Sequence, residues 1–448
     1  MKNIYFIGIG GIGMSALARW FKFNGHKVSG YDRTPSPLTE ALVAEGIGVH
    51  YEDRPELVPA DVDDTLVIYT PAIPEELGEM QFVLKNGYKV IKRSVALGEV
   101  TRGKRCFAVS GTHGKTTTST LTAHIFTSSG EGCSAFLGGI SRNYGSNLLM
   151  NGNDNVVAEA DEFDRSFLAL YPEIAVVTAM DADHLDIYGD KAHVVEAFKA
   201  FASQVSGTVI KKYGLDITPA DTSAKILSYH YDNPAADFHG ENARPDALGR
   251  FIFDLHYPGG VIRDVLVGTP GWINAENAIA ASAIALTYGI SPEAVKTAVG
   301  SFEGVKRRLE LHFHTPSLSY IDDYAHHPAE LASAISSMRD IFPSRKITAV
   351  FQPHLYTRTR DFADEFAASL SMVDKLILLP IYPAREEPIP GVSSEIILDK
   401  VSCEKVLVEK SQLLEYLEGE PLDVLVTFGA GDIDRFVEPI TQLVRKRS

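Results

Sequence analysis

Short apolar strands alternate with helical stretches along the whole chain, and this predicts an α/β protein of three domains. Two observations carry the prediction. Glycine-rich turns at 8–13 and 111–114 each follow an apolar strand and open a helix, which is how a doubly wound nucleotide-binding unit begins. A separate series of strands, at 318–321, 346–351, 375–379 and 423–427, predicts a further sheet near the C-terminus. The expected architecture is a Rossmann-like N-terminal domain over 1–100, a central P-loop α/β domain over 101–310 and a Rossmann-like C-terminal α/β domain over 311–448.

The elements follow in order. Residues 3–9 read as a strand, and Gly10-Gly11-Ile12-Gly13 leads into a helix through about Asn24. Strands at 26–31, 43–47 and 65–69 continue the alternation. The second domain opens with a strand over 106–110, a tight turn and a helix over 117–128. Strands at 155–159 and 174–178 and a helix over 192–203 extend it. Residues 207–270 are richer in glycine, proline and turn signals and predict an antiparallel extension. Helices over 274–288 and 292–299 close the domain. In the third, helices are expected at 328–341 and 361–372, and Gly429-Ala430-Gly431-Asp432 forms a late glycine loop.

Composition excludes several classes. The 448 residues carry 42 Lys and Arg against 58 Asp and Glu, a formal charge of −16, which argues against a nucleic-acid partner. Anionic ligands must then be met by local basic groups and helix ends. No apolar run is long enough to span a bilayer, and the N-terminus lacks a signal peptide's layout, so no membrane partner and a cytoplasmic location are expected. Cys106, Cys133 and Cys403 are too widely spaced for a disulfide framework or a zinc site of cysteines.

Chemistry concentrates at strand ends. The turn Gly111-Thr112-His113-Gly114-Lys115-Thr116-Thr117 is a shortened P-loop, with Val109 where the longer pattern has its first glycine. Backbone N–H groups and the helix dipole receive an anion there, Lys115 meets the outer phosphates, and the Thr116 hydroxyl suits Mg²⁺. These features point to a nucleoside triphosphate, ATP first. Gly8-Ile9-Gly10-Gly11-Ile12-Gly13-Met14-Ser15, with Asp32 downstream, resembles a dinucleotide fingerprint. It recognises a pyrophosphate near a helix end, so a nicotinamide cofactor and a UDP moiety both satisfy it. Glu159 ends an apolar strand before Asp161 and Glu162, as a Mg²⁺-binding carboxylate does. Asp181-Ala182-Asp183-His184 follows a second strand and suits a second metal or a phosphate, or a helix cap at Asp183. Arg307-Arg308 falls near a domain boundary and reads equally as a phosphoryl clamp or a solvated linker. Asp322-Asp323-Tyr324-Ala325-His326-His327 and the segment from Gln352 through Arg358 to Arg360 each follow a strand and read as ligand sites, the arginines suiting carboxylate or phosphate.

Taken together these motifs resemble the Mur ligase family over essentially the whole chain. The set includes F-I-G-I-G-G-I-G-M-S, G-T-H-G-K-T-T-T, E-A-D-E-F-D, D-A-D-H, R-R-L-E, D-D-Y-A-H-H-P and F-Q-P-H-L-Y-T-R-T-R. The resemblance implies domains for a UDP-substrate, for ATP and for an amino acid. It implies ATP-driven joining of an amine to a muramic acid carboxylate through an acyl phosphate. UDP-N-acetylmuramate and L-alanine are the expected substrates. A tripeptide-attaching relative is the alternative, and an NAD(P)-dependent oxidoreductase a more distant one. By motif, Gly8, Gly10, Gly11, Ile12, Gly13, Met14, Ser15 and Asp32 fall to the UDP-substrate. Gly111 through Thr117, Asn277, Arg308 and Asp323 fall to ATP, with Asn277 at adenine, Arg308 at the γ-phosphate and Asp323 at the ribose. Thr116 and Glu159 would hold one Mg²⁺ and His184 a second. Tyr324, His326, Arg358 and Arg360 would lie near the amino acid and the reacting carboxylate, with Lys115, Glu159, His184 and Arg308 in catalytic roles. Lys199, where several relatives carry a carbamylated lysine, reads here as a surface helix residue. Monomer and homodimer both remain open.

Overall fold

The computed structural model describes residues 1–447 apart from Ala72, Glu75, 182–187, Gly189, Ala247 and Arg385. The backbone divides into two compact units: Met1–Ala243, Ile252–Gly268 and Ala275–Gly304 form the first, and Arg244–Phe251, Thr269–Asn274 and Val305–Ser448 the second.

The first unit holds two sheets. In the smaller, β1 (Asn3–Ile7) is central, β2 (Lys27–Tyr31) and β3 (Gly48–His50) lie to one side, and β4 (Thr65–Tyr69) and β5 (Lys89–Lys92) to the other, all parallel. Three helices lie between these strands, α1 (Ile12–Phe23), α2 (Pro37–Ala44) and α3 (Gly78–Lys85), and α4 (Arg93–Thr101) follows β5. The strand expected at 43–47 is instead the end of α2 and its turn. Ser36 caps the helix, its Oγ accepting the Thr39 N–H at 3.2 Å, and Pro37 follows at the first helical position. Leu42 and Ile47 are buried while Val43 faces solvent, so the apolar spacing there serves a helix and its exit.

The larger sheet begins with β6 (Arg105–Ser110), followed by α5 (Lys115–Ser128), β7 (Ser134–Phe136), β8 (Leu148–Leu149), β9 (Asn155–Ala160) and β10 (Pro172–Val177). After α6 (Lys191–Ser203) come β11 (Thr208–Lys212), β12 (Lys225–His230), β13 (Phe238–Pro245), β14 (Arg250–Tyr257) and β15 (Gly260–Pro270), then α7 (Trp272–Tyr288) and α8 (Pro292–Ser301). The strand order is β15-β14-β13-β12-β11-β10-β6-β9-β7-β8. The antiparallel extension expected over 207–270 is only partly realised. β11 and β12 join in parallel, continuing the central sheet. β14 and β15 are joined by Pro258-Gly259, a link short enough only for an antiparallel pair. Register brings Ser110 level with Ala160 and with Val177, so the loops after β6, β9 and β10 leave from one edge. These strands are apolar on both faces (Phe107, Val109, Val157, Ala158, Ala175 and Val176 are all fully buried), as parallel strands covered by helices must be.

The two sheets of this unit are tied together closely. A Cβ on Gly98 of α4 would lie 2.2 Å from the Ala169 carbonyl oxygen, so α4 reaches the 163–169 turn only as glycine. Lys92 pairs with Asp164 at 2.7 Å and Arg93 with Asp161 at 3.5 Å. Arg19 of α1 donates to Asn147 Oδ1 at 2.7 Å, and the Asn147 amide donates to the Ile12 carbonyl at 2.6 Å.

In the second unit, β16 (Glu310–His314) pairs antiparallel with β17 (Ser319–Asp323); β18 (Ile347–Phe351), β19 (Lys375–Leu378), β20 (Glu404–Leu407) and β21 (Val424–Phe428) complete a sheet ordered β16-β17-β21-β18-β19-β20. Its parallel strands put Asp323, Phe428 and Phe351 in register, aligning the loops that follow them. The helix expected at 361–372 is α11 (Ala363–Leu370); before it, across a break where Phe362 leaves helical geometry, lies α10 (Tyr356–Asp361), a further helix not expected there, and α9 (Pro328–Ile341) precedes both. The three cysteines are free, and no helix among the described residues is long and apolar enough to cross a membrane. Lys199 sits on α6 paired with Asp216 at 2.9 Å.

One buried carboxyl gives the first unit a pH signature. Glu79 of α3 is fully buried, accepts the Tyr5 hydroxyl at 2.5 Å and the Arg54 N–H at 3.0 Å, and lies 3.1 Å from His50 Nε2. Burial pushes its pKa from 4.5 to about 7, against those two hydrogen bonds and with Asp53 and Glu56 adding to the rise. Burial, with Arg54, lowers the pKa of His50. A carboxyl whose folded pKa exceeds its unfolded value favours the native state while protonated. Its contribution is therefore complete at low pH and is lost as pH rises through about 7. The shift implies about 3 kcal/mol at most, reduced by solvent screening to ~1–2 kcal/mol. We expect Glu79→Gln to flatten the fall in melting temperature between pH 4.5 and about 7. An unchanged slope would contradict this assignment.

Candidate active site

The turn after β6 is shaped by what surrounds it. Gly111 has φ +130°, and a Cβ there would stand 2.0 Å from Thr178 Oγ1; no other residue fits both constraints. Gly114, at φ +80°, lies against Asn277, whose Oδ1 would be 2.7 Å from an added Cβ. The loop is pinned to the end of β10: the Thr112 N–H donates to the Ala179 carbonyl at 3.2 Å, and the Asp181 N–H to Thr112 Oγ1 at 3.2 Å. The Thr178 hydroxyl donates to the carbonyls of Ser110 and His113. His113 Nε2 stands 3.5 Å from Asp181. Thr117 is half-buried in the first turn of α5.

Lys115, the first residue of α5, donates to both oxygens of Glu162 at 2.8 Å and to the Gly111 carbonyl at 2.8 Å. Burial works against the ammonium, but Glu162, Asp161 and Glu159 outweigh it and its pKa is raised. Lys115 is therefore a fixed cation. Glu159, next to last in β9, accepts from Thr116 Oγ1 at 3.0 Å, Ser119 Oγ at 3.3 Å and the Gly138 N–H at 3.1 Å. Thr116 and Glu159 are thus in direct contact, a hydroxyl and a carboxylate of the hard-oxygen type that Mg²⁺ takes. His184 lies outside the described residues. Asn277 on α7 accepts from Thr118 Oγ1 at 3.3 Å.

The glycine loop of the first sheet is held by Asp32. Its Oδ2 accepts the Gly10 N–H at 2.7 Å and its Oδ1 the Thr34 N–H at 3.3 Å. Gly8 has φ +88°. Gly11 closes the loop, its N–H donating to the Gly8 carbonyl at 3.3 Å. Met14 and Ser15 are buried in α1, so the loop offers a ligand backbone from 8–13 and not those two side chains. Arg93 lies over Gly13, where a Cβ would be 2.4 Å from Nη1. Ile12, Gly13, Arg93, Phe136, Gly138, Glu159 and Asp161 line one cleft of ≈ 120 Å³. The first glycine loop and Glu159 of the P-loop sheet therefore open onto the same space.

The second unit carries its own cluster. Arg307 has φ +62°, pairs with Asp322 at 2.8 Å and donates to the Gly429 carbonyl at 2.7 Å. It braces the loop, while the Arg308 guanidinium lies 5.5 Å from the Tyr324 ring. Asp323 is buried and accepts the N–H groups of Leu309 and Ala325, each at 2.7 Å. Burial pushes its pKa up to about 6 despite Arg308 and those donors. His326 turns Nδ1 to the Tyr324 carbonyl at 3.1 Å and to Glu330 at 3.3 Å. Glu330 is held well below the usual carboxylate range: burial opposes this, and His326 and Arg308 overcome it. Arg358 Nη1 is buried without a hydrogen-bond partner among the described residues, whereas Arg360 is exposed and paired with Asp361 at 2.7 Å.

Arg93 and Gly138 at the cleft, and Glu162 beside Lys115, were not singled out from sequence. Glu162 was legible as a carboxylate but not as the partner of Lys115. Arg93 and Gly138 each follow a short strand, β5 and β7, and that position is the signal that could have found them.

The chain is similar to known proteins over its whole length. Residues 3–105 match the family model described as Mur ligase family, catalytic domain; 109–285 match the Mur ligase middle domain; and 307–431 match the Mur ligase, glutamate ligase domain. The chain is 48% identical over 454 residues to UDP-N-acetylmuramate–L-alanine ligase of Porphyromonas gingivalis, covering 99% of each chain. It is 49% identical over 452 residues to the same enzyme of Parabacteroides distasonis, covering 99% of this chain and 97% of that one. Among solved structures, UDP-N-acetylmuramate–alanine ligase of Thermotoga maritima superposes with a TM-score of 0.84 at 26% identity, covering 100% of both chains.

Proposed function

The chain belongs to the Mur ligase family, and on that premise we propose that it joins L-alanine to the carboxylate of UDP-N-acetylmuramate with ATP as the energy source. The observation that carries this reading is the shared cleft, lined by Ile12, Gly13 and Arg93 from the first sheet and by Glu159 and Asp161 from the second. A nucleotide-sugar bound at the first glycine loop can extend its carboxylate toward the phosphates held at the P-loop. An oxidoreductase has no use for the second loop.

The residues divide the work as follows. The backbone of 8–13 receives the UDP pyrophosphate at the start of α1. The 111–117 turn cradles the ATP phosphates, and Lys115 offsets their charge. Thr116 and Glu159 fit Mg²⁺, which when bound neutralises the phosphates and polarises the γ-phosphoryl group. A carboxylate oxygen of the sugar attacks the γ-phosphorus, the bond to the β-phosphate oxygen breaks, and ADP leaves. The amine of alanine then attacks the acyl carbon, loses a proton and expels phosphate. Arg93 can hold the carboxylate side of the cleft at positive potential. We assign Asn277 to adenine, and Arg308 and Asp323 to ATP. In the second unit Tyr324, His326 and Arg358 are our candidates for the amino acid and its carboxylate, with Arg360 at the rim. We place the protein in the cytoplasm, where ATP and nucleotide-sugars are found.

Phosphate release from Mg·ATP tests the reading, with UDP-N-acetylmuramate present and L-alanine, the tripeptide or no amine added. Release that needs both the UDP-sugar and L-alanine supports it. Release with the tripeptide alone would reassign the acceptor, and release that ignores every amine would overturn the ligase.

A further inference from the structure

On β13 and β14, four and five strands away from the P-loop strand in the sheet order, three metal-ligating side chains converge. His239 and Glu241 are two residues apart on β13 and so project from one face; His256 lies on the neighbouring β14. His239 Nε2 is 3.5 Å from Glu241 Oε1 and His256 Nε2 is 3.1 Å from Glu241 Oε2. The two imidazole rings stack at 4.8 Å with 14° between planes, which aims both Nε2 atoms at the same carboxylate. All three candidate ligand atoms lie within 4.8 Å of one another.

Two further observations set this group apart from an ordinary surface cluster. The Nδ1 of His239 is 2.9 Å from the Ala236 carbonyl in a buried contact. A carbonyl only accepts, so Nδ1 carries a proton, and in the neutral ring Nε2 then presents a lone pair. This is how a backbone carbonyl orients a metal-binding histidine. The Nε2 of His256 is buried and makes no hydrogen bond among the described residues, although the Glu241 carboxylate is 3.1 Å away. We propose that His239, Glu241 and His256 bind one borderline divalent transition-metal ion, with Zn²⁺ the best match. Two neutral imidazoles and a carboxylate form a recurrent zinc donor set with a fourth position left to water. Ligand atoms around tetrahedral zinc stand ~3.4 Å apart at bond lengths of 2.0–2.1 Å, which small side-chain rotations reach from the observed spacing. The ion would clip β13 to β14. It differs in chemistry from the oxygen site at Thr116 and Glu159, since nitrogen donors select against Mg²⁺. The other grouping of this kind among the described residues, Glu310, His312 and Asp322, contains the Arg307–Asp322 pair at 2.8 Å, so a guanidinium already serves its carboxylate.

The test uses the full chain without a histidine tag, stripped with EDTA and dialysed into excess Mg²⁺. Titration with Co²⁺ and with Zn²⁺, followed by cobalt absorption, equilibrium dialysis and melting temperature, compares wild type with His256→Gln and Glu241→Gln. We expect wild type to bind one equivalent more than either variant, with a tetrahedral cobalt spectrum. We also expect Zn²⁺ to raise the melting temperature of wild type alone, and all three proteins to melt alike in EDTA. Glu241 is exposed, so its variant carries the test if His256→Gln folds poorly. Equal stoichiometry in all three proteins, or an octahedral cobalt spectrum, would overturn the site. Neither result bears on the ligase reading, which the phosphate-release assay decides separately.

Discussion

Lys115→Met is expected to abolish turnover and to destabilise the first unit together. Lys115 donates to both oxygens of Glu162, which is 1% exposed. Removing one partner of a buried pair costs roughly 3–5 kcal/mol, because the pair's charge balance is lost. Protonation of Glu162, whose pKa burial already raises, relieves part of this. Loss of a charge aimed at transferring phosphate should cost on the order of 10³-fold in kcat. The double variant Lys115→Met/Glu162→Gln separates the two effects. It should recover most of the stability in a urea melt and none of the phosphate release. If the single variant melts like wild type, the pair does not stabilise the fold; if the double variant turns over, Lys115 is not part of the chemistry.

Glu159→Gln should leave the fold nearly intact and remove most of the activity. The carboxylate accepts from Thr116, Ser119 and Gly138, and an amide of the same shape can keep only some of those bonds. One mismatched donor costs about 1 kcal/mol. Loss of the negative charge should lower kcat by ~10²–10³-fold and raise the Mg²⁺ concentration needed for half-maximal phosphate release. A variant that is slow but keeps the wild-type Mg²⁺ dependence would remove Glu159 from the metal site and leave it as a brace for the P-loop.

The parts of the fold legible in the sequence were those where local pattern and burial agree. β6, β9 and β10 are short, apolar on both faces and followed by glycine or carboxylates, so their positions and the chemistry at their ends were readable together. Residues 43–47 misled because Leu42, Val43 and Ile47 look like a strand until the Ser36 cap is given weight. Residues 207–270 misled because turn-rich composition does not report strand direction: β11 and β12 extend the parallel sheet before the chain doubles back. At the site, residue identity was readable but pairing was not. Nothing local to Glu162 says that Lys115 meets it, and nothing local to Arg93 says that it covers Gly13. Both contacts are made by residues far apart in the chain, brought level by strand register.

The approach of α4 to the 163–169 turn bears on how such enzymes can be recombined. Three family models match this chain in succession, which invites treating them as exchangeable modules. With 2.2 Å between a would-be Cβ at 98 and a backbone oxygen, a donor segment bearing alanine there could not be grafted onto this middle segment without moving the backbone. Lys92, the last residue of β5, and Arg93 after it must likewise meet Asp164 and Asp161. Residues 1 to about 300 therefore behave as a single heritable cassette, and chimeras cut at the first boundary should express poorly unless position 98 and both acidic partners travel with them.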